Sequence, residues 1–314
     1  MLRLGLCCLF HREPIRFRST TARALSRLAP RDRPARLAEL CAANAAALRD
    51  ALDYCAGHGI GCFRVNSQIL PLRTHPGLGY RVAELPGGRA IRAAFEACGS
   101  FARDHGLRLT FHPDQFVLLS SPRDDVTRAS VADLEYQAEV AEWIGADVIN
   151  IHAGGAYGDK PAALARLAAT LRRLPAAIRR RLTIENDDRS YTPRDLLPFC
   201  ETHGIPLVYD VHHHRCLPDG LEVAEVSARA AATWDREPLF HISSPRHGWH
   251  GAHPEQHHDF IDIRDFPVEW RVLSLTVEVE AKAKEVAVER LRQELGEATA
   301  GGAIRRKPRA RRAR

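Results

Sequence analysis

The chain has 314 residues, of which 45% are hydrophobic and 27% charged, with Gly and Pro near average. These proportions exclude coiled-coil, collagen-like and disulfide-framework classes and wholesale disorder, and no apolar run approaches the roughly 18 residues of a membrane helix. The formal charge of +6 is uneven: residues 305–314 carry seven positive charges and no acid, residues 1–36 a further net seven, and 37–304 is net −8.

The opening run, 2–9, is short, apolar and β-rich, and reads as a first strand rather than a removable leader. A helical pattern over 34–56 follows, with Pro34 at a first-turn position. Strand-like runs at 60–65, 107–111 and 147–151 are then each followed by helical spacing, over 89–105, 127–144 and 160–180. Runs at 181–184 and 205–209 precede helices over 193–203 and 220–234. The run at 238–242 leads into a His-, Pro- and Gly-rich loop, 243–271, and that at 272–279 into a helix over 281–296. Gly59, Gly106, Gly145 and Gly204 mark helix ends. Eight strand–helix alternations predict an α/β fold, a single-domain (βα)₈ barrel over 1–296, followed by a basic, disordered tail over 297–314. Eight cysteines without a C-x-x-C pair point to free thiols in a reducing, cytoplasmic setting.

Of 16 His, ten lie between His203 and His258, a density that suggests metal chemistry. Seven consecutive strands end in or near a ligand-type residue. His75 lies in the loop after strand two, His112 ends strand three, His152 strand four, Glu185 strand five and Asp210 strand six. His213 follows at chelating distance, His241 is near the end of strand seven, and Glu280 ends strand eight. Barrel enzymes build their sites at this edge. Strand alternation sends Ser274, Thr276, Glu278 and Glu280 inward, and pairs Asn150 with His152 and Thr183 with Glu185. Buried carboxylates need a cation, and this many donors suit two or three divalent ions, with Mn²⁺, Zn²⁺ or Fe²⁺ favoured over Mg²⁺. Singly, each residue also has a structural reading. Asp210 suits a turn cap, and Glu280, followed by Lys282 and Lys284, suits a salt bridge. His212 and His214 are read as supporting or surface residues.

Phe63-Arg64-Val65-Asn66-Ser67, His112-Pro113-Asp114-Gln115-Phe116, Asn150 to Gly155, Tyr157-Gly158-Asp159-Lys160 and Leu182 to Asp188 form a recognisable set. With Asp210 to His214, His241 to Pro245, His257 to Ile261 and Glu278 to Glu285, the chain from about Ala38 to Glu285 resembles the UV-damage endonuclease family. The resemblance implies a barrel of the xylose-isomerase and endonuclease IV type. It also implies up to three metal ions, usually manganese, held by His75, His112, His152, Glu185, Asp210, His213, His241, His257 and Glu280. The implied activity is DNA repair: nicking duplex DNA immediately 5′ of UV photoproducts, pyrimidine dimers and 6-4 photoproducts, by a chain working as a monomer. Gln115 and Phe116 would probe the lesion. Phe116 stands where Tyr is common, and Leu6 and Phe10 where Tyr and Asn are often found.

The expected chemistry is metal-assisted phosphodiester hydrolysis centred on Glu185. Lys160 and Tyr157 are candidates for binding phosphate or steadying transition-state charge, although a solvent-facing role fits either equally well. A photodimer stacks weakly, so unstacking itself discriminates, with Phe116 as wedge and Gln115 as amide partner for orphaned bases. The basic termini would add sequence-independent affinity. A metal-dependent sugar isomerase of the same architecture is the alternative, but it needs neither a basic rim nor a wedge.

Overall fold

The computed structural model describes residues 2–304, with side chains to 297; the basic stretch 305–314 lies outside the described residues. Eight parallel strands close into a barrel in sequence order. They are β1 (Leu2–Cys7), β2 (Cys62–Val65), β3 (Arg108–Phe111), β4 (Val148–His152), β5 (Leu182–Glu185), β6 (Leu207–Asp210), β7 (Leu239–Ile242) and β8 (Leu275–Val279). The helices are α1 (Ala22–Ser26), α2 (Arg33–His58), α3 (Gly88–Asp104), α4 (Asp124–Ile144), α5 (Lys160–Arg173), α6 (Ala176–Arg179), α7 (Pro193–His203), α8 (Val211–Cys216), α9 (Val223–Ala232) and α10 (Lys284–Ile304).

Most of this follows the sequence pattern, and the differences have local causes. The helix expected over 160–180 breaks in two because Pro175 disfavours helical geometry at Leu174, which is extended at ψ 143°. Left-handed glycines end three helices as expected: Gly59 after α2, Gly145 after α4 and Gly204 after α7. The short α8 directly after β6 has no counterpart in the sequence pattern, because its His triplet carries no apolar period. The stretch 243–271 is loop apart from two 3₁₀ turns, Ile263–Asp265 and Val268–Val272. Helix α10 runs on to Ile304, past the expected end at 296. No helix among the described residues is long and apolar enough to cross a membrane.

The apolar core lies between the barrel and its helices, and the barrel interior is mostly polar. Its floor is closed by Val148, Val208 and Leu239, against which Trp234 packs. Below them Arg108 grips Asp147 at 2.9 Å and donates to Thr276 Oγ1 at 3.1 Å, while Arg3 pairs with Glu237 at 3.0 Å.

Candidate metal centre

Parallel register sets the site. His152 is the strand partner of Glu185, Asp210 of His241, and His241 of Glu278, so the inward parity of each strand stacks donors at one level. Glu185, with no exposed surface, is the hub. His112 Nε2 is 2.9 Å from its Oε2 and His152 Nε2 is 3.9 Å from the same atom, while His241 Nδ1 is 3.1 Å and His213 Nδ1 3.4 Å from Oε1. His213 also lies 3.5 Å from Asp210 Oδ2, at the i, i+3 spacing that α8 provides. His241 Nδ1 is 3.5 Å from Glu280 Oε1, and His257 Nδ1 is 3.8 Å from Glu280 Oε2.

Three donor groups are compact enough to hold an ion: His112–His152–Glu185, His112–His241–Glu280 and Glu185–Asp210–His213. They share His112 and Glu185, so neighbouring ions would share ligands. Asp210 Oδ2 is buried and accepts no hydrogen bond, an orphan a cation would satisfy. Neutral imidazoles with ionised carboxylates are the donor chemistry of Mn²⁺ or Zn²⁺, and the residues present fit such ions.

Electrostatics prepare the site. Burial opposes ionisation of Glu185, yet the imidazoles of His241, His152 and His112 hold its carboxyl well below the usual range. Burial likewise disfavours charge on His241, but Glu185 outweighs it and raises the imidazole to about 10. His213 is raised against its burial by Asp210 and Glu185. Without metal, protons on His241 and His213 help to neutralise the acids; metal binding would release them.

A second layer fixes the first. Asn150 donates to Glu185 Oε2 and accepts from Thr183 Oγ1 at 2.9 Å. Asn186 bonds both backbone groups of Asp210, at 2.8 and 2.9 Å, and its carbonyl lies 3.0 Å from His213 Nδ1. Two residues with no role assigned from the sequence complete this layer. Arg64, on β2, pairs with both Glu278 and Glu280, the latter at 2.6 Å. Glu278 accepts from Arg64 and Thr110 and lies 3.0 Å from His241 Nε2. The alternation that sends Glu280 inward applies equally to Arg64 and is the signal that points to it.

The remaining candidates divide. His257 stands beside Glu280, whereas His258 Nδ1 accepts from the Phe260 backbone N–H at 2.9 Å. His75 joins none of the three groups; its Nδ1 accepts from Gly77 N–H at 3.2 Å. Lys160 is held by Asp195 at 2.7 Å, and Asp195 completes the capping box of α7. Tyr157 is exposed in a left-handed turn (φ 51°), with the Arg166 guanidinium 5.6 Å from its ring. Gln115 and Phe116 project from the loop after β3, Phe116 with 71% of its surface exposed. His212 and His214 are buried rather than on the surface. His214 links Tyr209 (2.7 Å) to Asp219 (2.9 Å), and His212 packs on Trp249 and His257.

The family profile of UV-endonuclease UvdE matches residues 2–304. The chain is 35% identical over 301 residues to the UV DNA damage endonuclease of Bacillus velezensis, covering 92% of this chain and 91% of that protein. Its fold is similar to the solved structure of SacUVDE, with a TM-score of 0.85, 26% identity and coverage of 95% and 99% of the two chains. Endonuclease IV from Thermus thermophilus, at TM-score 0.62 and 14% identity over 95% and 99% of the chains, shares the fold alone. This chain belongs to the UV-endonuclease UvdE family.

Proposed function

We propose that the chain is a DNA-repair endonuclease that cuts duplex DNA immediately 5′ of UV photoproducts, pyrimidine dimers and 6-4 photoproducts, by metal-dependent phosphodiester hydrolysis. The observation that carries this reading is the set of three groups able to hold an ion, two of them sharing Glu185 and two sharing His112, at the carboxyl end of the barrel, with the exposed Gln115 and Phe116 on the loop that follows β3. Family membership favours it over the sugar-isomerase alternative, which would not use Phe116 at all.

His112, His152, Glu185, Asp210, His213, His241 and Glu280 would hold two or three divalent ions, Mn²⁺ by preference, with His257 and His75 completing the set from flanking loops. Such ions acidify bound water and stabilise charge on the entering and leaving oxygens. The protein's own part is orientation: Asn150 and Asn186 fix the carboxylates, and Arg64 keeps Glu278 and Glu280 ionised. At the mouth Phe116 would wedge into the unstacked lesion while Gln115 meets the orphaned bases. Lys160 and Tyr157 would meet phosphate nearby; for Lys160, phosphate must displace Asp195. We assign the working form as a monomer in a reducing, cytoplasmic compartment, in keeping with eight free cysteines.

The test is nicking of irradiated plasmid by the manganese-loaded chain, with chelator and Glu185→Ala as controls. Nicking at the 5′ side of a defined photodimer, abolished by either control, is expected. Full activity of Glu185→Ala, or aldose–ketose interconversion without nicking, would overturn the assignment.

A further inference from the structure

The chain is rich in arginine and contains four lysines: Lys160, Lys282, Lys284 and Lys307. Two of them line one cavity of about 430 Å³, together with Cys8, Arg64, His257 and Glu280. The cavity therefore opens directly beside the ion-holding groups. Arg64 is taken up by Glu278 and Glu280, and Glu255, another lining acid, by His253 at 3.2 Å. Lys282 and Lys284 make no ion pair or side-chain hydrogen bond among the described residues. The salt bridge to Glu280 that the sequence suggested does not form, because Arg64 occupies that carboxylate.

The backbone that carries these lysines is held in place. Lys284 has φ 49° and Cys8 φ 47°, two of the four non-glycine residues in the left-handed region among the described residues. Such backbone costs free energy that glycine would avoid, so surrounding structure must fix it. Lys282 N–H donates to the His258 carbonyl at 3.1 Å and Ala283 N–H to that of Asp259 at 3.0 Å. Next to Lys284, buried Glu285 accepts from the backbone of His11 and Arg12, both at 2.6 Å, clamping the chain after β1 onto the start of α10. Two unneutralised ammonium groups are thus presented at a cavity next to the candidate metal centre, where a polyanion would be drawn.

We propose that Lys282 and Lys284 form a binding site for a backbone phosphate of the DNA strand entering the metal centre. This rests on the nuclease reading above and adds the residues that position the strand on the β1–β8 side. Lysine suits the task as a compact, mobile point charge, where arginine's fork would seek a second carboxylate.

The test uses the full chain, kept metal-free with chelator and acylated at its amines alone, with undamaged duplex DNA, or with inorganic phosphate. Labelling is read lysine by lysine by mass spectrometry. Protection of Lys282 and Lys284 by both anions is expected, by about threefold or more if phosphate binding governs affinity. The Lys282→Met/Lys284→Met variant should show a logarithmic salt dependence of DNA binding shallower by about 0.9 for each phosphate that the variant no longer neutralises. Lys282→Met/Lys284→Arg should recover part of that slope. Unchanged labelling with both anions overturns the site, and protection by inorganic phosphate alone overturns its assignment to DNA. Nicking of irradiated plasmid by the same protein reloaded with manganese is scored separately. Nicking without protection removes this site and leaves the nuclease reading intact, whereas protection without nicking does the reverse.

Discussion

Arg64 is the group whose removal most directly exposes how the barrel interior is balanced. Its guanidinium is nine-tenths buried between Glu278 and Glu280 and lies 3.0 Å from His241 Nε2. Arg64→Met keeps much of the volume and removes the charge, leaving two buried carboxylates short of a partner. Breaking a buried pair from one side costs about 3–5 kcal/mol, far above the roughly 0–1 kcal/mol typical of an exposed pair. That loss is expected in urea unfolding of the metal-free protein, followed by tryptophan fluorescence. Divalent ions add positive charge beside Glu280, so manganese should narrow the deficit between variant and wild type. A loss below about 1 kcal/mol would mean that Arg64 does not balance the acids. A deficit unchanged by manganese would mean that no ion joins Glu280.

Phe116→Ala should leave stability within about 0.5 kcal/mol of wild type, since the ring is mostly exposed, yet weaken lesion-DNA binding by about 1–3 kcal/mol. Mobility shifts on photodimer and intact duplexes check this; equal weakening on both would assign the ring to general DNA contact. Gln115→Ala should mainly lower the ratio of damaged to undamaged cleavage on defined duplexes, and an unchanged ratio would remove the amide from discrimination. Burial opposes ionisation of Glu278, but Arg64 and His241 hold its carboxyl at about 2, below the ordinary 4.5. A depressed pKa contributes stability above the unfolded value, lost as pH falls through the folded one. Metal-free protein should therefore lose on the order of 3 kcal/mol from this group between about pH 4.5 and 2. Glu278→Gln should flatten that part of the stability profile, and an identical profile would contradict the assignment.

Strand parity makes much of the site legible in the sequence. Glu280, Glu185 and His152 follow from a strand alternation that ends at the carboxyl edge and His241 from its place near the end of strand seven, and the structure brings them together. The same rule applied to β2 points to Arg64, which is easily passed over because a guanidinium is not a metal ligand. Loops carry no such period. His75 is placed by its position in the loop after strand two and by resemblance, and the structure leaves it outside the compact groups. The partner of Lys160 lies 35 residues away on α7, brought close by folding. The burial of His212 and His214 depends on α8, a single turn or so whose sequence holds no helical stripe.

Anomalous diffraction from crystals of the chain grown with manganese tests the shared-ligand metal centre most directly. At least two peaks are expected, one among His112, His152 and Glu185 and one among Glu185, Asp210 and His213, with the Glu185 carboxylate bonded to both. Manganese bound elsewhere on the surface, with Glu185 still in contact only with its histidines, would contradict it.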